Sequence, residues 1–180
     1  MKFSVLALLT GLVAASAFAA DKPDAPAPAT DRVGFPEGYK EKYTVLRSIN
    51  RTNEAKVVII YGNDQAATVK QSSDLPYPDG SVIVMETSST IKDAAGNFVV
   101  DAKGIAKPDK VLGMHVMRRE KGFGEAYGEN RSGEWEYVEY RADKSYFTPP
   151  QKSASCSECH IKAGAKRDYV YRGRLPEDGK

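Results

Sequence analysis

The chain has 180 residues, with 26 Lys and Arg against 24 Asp and Glu, 41% hydrophobic residues and a formal net charge of +2. That length suits one domain with a core of its own, and ten Tyr, six Phe and one Trp are too many aromatics for a disordered chain. So small a net charge argues against a binder of nucleic acid or other polyanions, and two cysteines are too few for a disulfide scaffold, so their spacing decides what they do.

The N-terminus reads as an export signal over residues 1–20. Lys2 supplies the positive end, the run from Phe3 to Ala15 is apolar apart from Ser4, Thr10 and Gly11, and Ala17-Phe18-Ala19 has the small-x-small form of a cleavage site. A transmembrane anchor competes with this reading. However, the stretch falls short of the ~20 apolar residues a span needs, and no basic stop-transfer patch comes after it. Cleavage near Ala19 or Ala20 removes Lys2 and takes the charge from +2 to +1. The mature chain is expected to be periplasmic and soluble. Residues 21–34, with the Pro- and Ala-rich run Asp21 to Asp31, are expected to form a linker. One domain is expected over 35–174 and a disordered tail over 175–180.

Within the domain the hydrophobic period is mostly two. Tyr43 to Ile49 reads as a strand, and Lys56 to Tyr61 is a β-branched run with the character of a buried one. Asp64 to Lys70 is expected to form a short helix. Pro76, Pro78 and Asp79-Gly80 then turn the chain into a strand over Ser81 to Glu86. Asn97 to Val100, after the Ala95-Gly96 turn signal, is expected to pair with the next stretch of chain. Val111 to Glu120 reads as a strand with Leu112, Met114 and Val116 on one face and Val111, His115 and Met117 on the other. Gly122, Gly124, Gly128 and Gly133 mark a mobile loop. Glu134 to Arg141 alternates Trp135, Tyr137 and Glu139 against Glu136, Val138 and Tyr140, and Tyr169 to Tyr171 suggests a last strand. The fold class is mainly β: an antiparallel sheet with one or two short helices.

Cys156-Ser157-Glu158-Cys159-His160 carries the strongest chemical signal, because C-x-x-C-H is the form in which haem c is attached. Two thiols one helical turn apart reach the two haem vinyl groups, and the histidine beside the second supplies the proximal imidazole to iron. Ser155 and Glu158 have capping-box spacing for a short helix here, and Gly164 can end it. Three other readings compete. A redox disulfide usually comes after a strand in a βαβ unit, a pattern absent here. A zinc site needs a fourth ligand, and His115 is the only other histidine. A structural disulfide is open to any exported protein. Haem is favoured because export, the thiol spacing and the trailing histidine agree. His115, Met85, Met114 and Met117 are candidates for a sixth ligand, but Met and His on strands more often pack or face solvent, so an open distal side is preferred.

The ordered landmarks resemble the cytochrome P460 family, which includes the cytochromes c′-beta. They are Phe35-Pro36-Glu37-Gly38-Tyr39, Ile60-Tyr61-Gly62-Asn63-Asp64-Gln65-Ala66, Tyr77-Pro78-Asp79-Gly80-Ser81-Val82-Ile83-Val84, Gly113 to Met117, Gly133 to Tyr137, Cys156 to His160 and Asp168-Tyr169-Val170. The resemblance implies an antiparallel β fold in a homodimer, with one covalent haem c held by Cys156, Cys159 and His160, with His160 on the iron and an open distal position. It also implies one of two functions. One branch of the family oxidises hydroxylamine with a lysine bonded to the haem, passing electrons to a partner cytochrome. The other lacks the link and binds nitric oxide or carbon monoxide under an apolar cap.

Lys70 lies in the segment that carries the linked lysine in the first branch, and Tyr77 matches the position of a distal aromatic. Glu136, with Glu134 and Glu139 as neighbours, is a candidate proton acceptor near the iron. Val58 stands where many relatives have an arginine, which tilts the reading toward ligand binding. The favoured function is therefore an exported monohaem cytochrome that handles nitric oxide or a related small nitrogen ligand. Hydroxylamine oxidation and simple electron transfer are the alternatives.

Overall fold

A computed structural model describes residues 25–173 and 175–176. The export signal and the last four residues of the expected tail lie outside the described residues. Six strands form one antiparallel meander in sequence order: β1 (Thr44–Arg51), β2 (Lys56–Gly62), β3 (Val82–Thr90), β4 (Pro108–Arg119), β5 (Trp135–Arg141) and β6 (Tyr146–Thr148). Among the described residues three short α-helices accompany them: α1 (Tyr39–Lys42), α2 (Asp64–Ala67) and α3 (Ala154–Ile161). The mainly β expectation holds. None of the described helices is long and apolar enough to cross a membrane.

The central strands bury both faces, and this explains their near-continuous apolar runs. In β2, Val58 and Ile60 enter one core while Tyr61 and Ile59 pack into the other. The first core also takes Ile83, Met117, Trp135 and Tyr137 from the sheet, with Tyr77, Tyr127 and Val170 lying over them. The second takes Val82, Val84, Met114, Val116, Val138 and Tyr140, covered by Val33 and Tyr39. Two carboxylates are buried on this second face. Glu86 accepts from Tyr39 and from Ser88 Oγ at 2.9 Å and pairs with Lys40 at 2.8 Å, and Glu136 pairs with Arg32.

Several elements differ from the sequence expectation. Part of the stretch read as linker packs on the domain: Val33 and Pro28 are buried, and Asp31 accepts from the hydroxyls of Tyr140 and Tyr146, both at 2.9 Å. Leu175 packs on the first core, and Pro176 O accepts from Ser72 N at 3.0 Å, so the start of the expected tail is held too. The glycine-rich segment between β4 and β5 is anchored by a turn at Glu125–Asn130 that buries Tyr127 completely. Gly124 there has φ +78, and a Cβ on it would sit 2.5 Å from Gly133 O, so the glycine allows close packing of backbone on backbone. Asn97 to Val100 makes only isolated bridges, Lys92 to Phe98 and Val100 to Ala106. Tyr169 to Tyr171 is not a strand, because the chain turns through left-handed backbone at Asp168 and Tyr169.

Candidate functional site

Helix α3 carries the C-x-x-C-H motif across the first face. The expected Ser155–Glu158 capping box does not form. Ser153 precedes the helix with no side-chain cap, because its hydroxyl donates to Pro150 O at 2.6 Å, while Glu158 accepts from Asn130 Nδ2 at 3.0 Å. Hydroxyl chains clamp the helix to the sheet instead. Ser157, fully buried between the cysteines, donates to Asn130 O at 2.6 Å. Ser132 Oγ must then donate to Ser157 Oγ at 2.7 Å and receive from Tyr137 Oη at 2.6 Å, since each hydroxyl has one hydrogen to give. By the same count Tyr127 donates to Ser153 Oγ at 2.8 Å.

The clamp sets the exposure of the three motif side chains. Cys156 is half-buried against the first core, and burial pushes its thiol up to about 11. Cys159 is exposed, and both are free thiols. His160 is packed between Tyr137, with ring centroids 4.5 Å apart, and Tyr171 at 5.4 Å. Its Nδ1 lies 2.6 Å from the carbonyl oxygen of Tyr169. A carbonyl only accepts, so Nδ1 carries the proton and Nε2 keeps its lone pair. Burial, the largest influence, lowers the imidazole pKa below its ordinary value and favours this neutral form. A neutral imidazole whose outer nitrogen donates to a carbonyl is the form that binds metals.

Tyr77 stands on the loop between α2 and β3 and is 1% exposed. Its ring meets Trp135 edge-on at 5.6 Å, its backbone N–H donates to Asp168 Oδ2 at 3.0 Å, and its hydroxyl is 3.5 Å from Arg172 Nη1. Tyr77 lines a cavity of about 300 Å³ with Ser72, Leu75, Val170 and the cations Lys166, Arg167 and Arg172. Among the described residues no group of three or more His, Cys, Asp or Glu is placed to hold a metal ion by itself.

The family model for cytochrome P460 matches residues 36–172. The chain belongs to the cytochrome P460 family. It is therefore a haem cytochrome, and the resemblance drawn from the ordered landmarks is correct. No curated protein matches the chain. The residues present fit the haem c that membership in the P460 family implies. Two free thiols one turn apart lie on the motif helix, and His160 Nε2 has no partner among the described residues; the cavity beside Tyr77, which none of these three residues lines, combines apolar walls with cations suited to carboxylates.

The other expected site residues fare differently in this P460-family fold. Lys70 is exposed, with its backbone N–H bonded to Asp74 Oδ2 at 2.8 Å, and it is not among the residues lining the cavity. Glu136 requires a correction. Trp135 and Tyr137 take the first face, so the strand period of two turns Glu136 to the second, where Arg32 holds it. It does not meet the motif helix. Glu139 is on the first face, but its Oε1 pairs with His115 Nε2 at 3.1 Å and its Oε2 accepts from Thr148 Oγ1 at 2.9 Å. Met114 is in the second core and Met117 in the first, while His115 faces Met85 and Glu139 across the ladder. Sequence reasoning assigned no role to Ser132, Ser157, Asp168 or Arg172. For Asp168 the one signal was its place in the Asp168-Tyr169-Val170 landmark.

Proposed function

We propose that the chain is an exported cytochrome with one covalently attached haem c and an open distal position, and that it binds nitric oxide or a related small nitrogen ligand. The observation that carries this reading is His160, neutral by burial and with Nδ1 committed to Tyr169 O, directly after two free thiols. Cys156 and Cys159 would hold the haem through thioether bonds to its two vinyl groups. The haem supplies the iron, its redox couple and the open coordination position. His160 Nε2 would bind its iron. Tyr77 provides an aromatic wall and a hydroxyl to donate to a bound ligand, with Arg172 beside that hydroxyl. The small-residue cleavage site at Ala17-Phe18-Ala19, after the apolar run from Phe3 to Ala15, supports a periplasmic location.

The exposure of Lys70 favours ligand binding over the lysine-linked chemistry of hydroxylamine oxidation. The test is an absorption spectrum of the haem-loaded protein together with a tryptic digest. The expected result is a high-spin spectrum that shifts on adding nitric oxide, with Lys70 recovered in a free, cleavable peptide. A red-shifted ferrous Soret band with a haem-linked Lys70 peptide would make the protein a hydroxylamine oxidase. A low-spin spectrum inert to ligands would make it an electron carrier.

A further inference from the structure

Asp168 and Tyr169 are consecutive non-glycine residues in left-handed backbone, with φ 48 and φ 60. Such a conformation is unfavourable for a residue with a Cβ, and a bulky residue there persists only where its surroundings fix it. Here the turn is fixed by Asp168 N to Ala165 O at 2.9 Å, Tyr169 N to Gly164 O at 3.1 Å and Val170 N to Arg167 O at 3.1 Å. The turn sends two acceptors to two different places. The Tyr169 carbonyl receives His160 Nδ1, and the Asp168 carboxylate receives the backbone N–H of Tyr77.

The Asp168 side chain is 9% exposed, which is costly for a carboxylate unless its surroundings satisfy it. Besides Tyr77 N at 3.0 Å, Arg119 Nε lies 3.5 Å from the same oxygen. Arg119 also pairs with Asp79 in the turn after Tyr77, and its backbone binds both Gly80 N and Ser81 O. The carboxylate therefore sits where the loop bearing Tyr77, strand β4 and the segment after the motif helix meet. It is not among the residues lining the cavity, so its effect on a ligand there passes through lining residues: Tyr77, which it binds, and Arg167 and Val170, which flank its turn.

We infer that Asp168 is a positioning residue: through the Asp168–Tyr169 turn, one short segment holds the imidazole of His160 on one side and the aromatic of Tyr77 on the other. Its effect on the ligand rests on the reading of the protein as a ligand-binding cytochrome, whereas the tie itself does not. Asp168→Asn keeps an acceptor in place and tolerates left-handed backbone. Asp168→Glu keeps the charge but displaces it by one methylene, and Asp168→Ala removes the acceptor.

Two measurements on the haem-loaded protein test the inference. Hydrogen–deuterium exchange of the peptide containing Tyr77 should accelerate about tenfold or more in Asp168→Ala, the size expected for leaving a buried N–H without an acceptor. It should accelerate in Asp168→Glu as well and stay near wild type in Asp168→Asn. Carbon monoxide affinity should shift several-fold in Asp168→Ala, and that shift should vanish when Tyr77 is already alanine, as for residues that act as one unit. Unchanged exchange in the Ala and Glu variants would overturn the tie. Full additivity with Tyr77→Ala would overturn action through Tyr77. If Asn behaves like Ala while Glu behaves like wild type, charge rather than position is at work and the inference fails. Should Asp168→Ala not fold, the Asn and Glu pair decides by itself. If the protein takes up no carbon monoxide, the functional reading fails, and exchange alone still judges the tie.

Discussion

Glu136→Gln separates the two faces of the sheet experimentally. The side chain of Glu136 is 2% exposed, and it accepts from Arg32 Nε at 3.1 Å and pairs with Arg32 Nη2, while Arg32 keeps 43% of its side-chain surface and lies over the Phe123 ring at 4.3 Å. The substitution preserves volume and removes the charge, so no cavity opens. A hydrogen bond to a charged partner contributes roughly 1.5–3 kcal/mol, and the partial exposure of Arg32, which lets water replace the lost carboxylate, argues for the lower end, about 1–2 kcal/mol. With a urea dependence of about 2 kcal/mol per molar for a domain of this size, the unfolding midpoint should fall by roughly 0.5–1 M. Because Glu136 lies on the face away from the motif helix, ligand affinity should change less than about twofold, well below the ~1.4 kcal/mol of a tenfold effect. Urea melts followed by circular dichroism and a carbon monoxide titration of the same preparation measure both quantities. A tenfold loss of affinity with an unmoved midpoint would refute this reasoning and return Glu136 to the iron.

The site itself sets two further outcomes. His160→Ala should abolish the normal haem spectrum, whereas His115→Ala, which loses an exposed pair with Glu139, should leave it nearly intact; a low-spin iron that becomes high-spin in His115→Ala would mean that His115 is the sixth ligand. Denatured wild-type protein should keep its haem stain on a gel, and replacing both Cys156 and Cys159 by alanine should remove it; loss of stain from the denatured wild type would show that attachment is not covalent.

The legible and the hidden parts of this fold have separate physical causes. The run Val57 to Tyr61 is β-branched on both parities, and β2 is buried on both faces for that reason. The spacing of Cys156, Cys159 and His160 is a property of one helical turn, so the motif was readable without the rest of the fold. The alternation of Trp135, Tyr137 and Glu139 against Glu136, Val138 and Tyr140 was readable too, and β5 obeys it. Which parity meets the motif helix was not readable, because both sets are apolar enough to enter a core, and that choice is what places Glu136 away from the site. The apolar, aromatic run Tyr169-Val170-Tyr171 has strand propensity, yet hydrogen bonds to the Gly164, Ala165 and Arg167 carbonyls fold the chain there into a turn that propensity does not encode.

The same cause accounts for the N-terminal segment. Its Pro- and Ala-rich composition has too little apolar surface to form a core, but it does not need one. Asp31 takes two tyrosine hydroxyls, Arg32 takes Glu136 and Val33 fills the second core, so a segment with little capacity to fold by itself covers a face that would otherwise leave Tyr140 and Glu136 open to water. That covering lets β5 bury both its faces. With Trp135 and Tyr137 thereby fixed, Trp135 meets Tyr77 edge-on and Tyr137 carries the imidazole of His160. The geometry of the site thus depends on contacts made on the opposite face of the sheet, by residues that composition alone assigns to a linker.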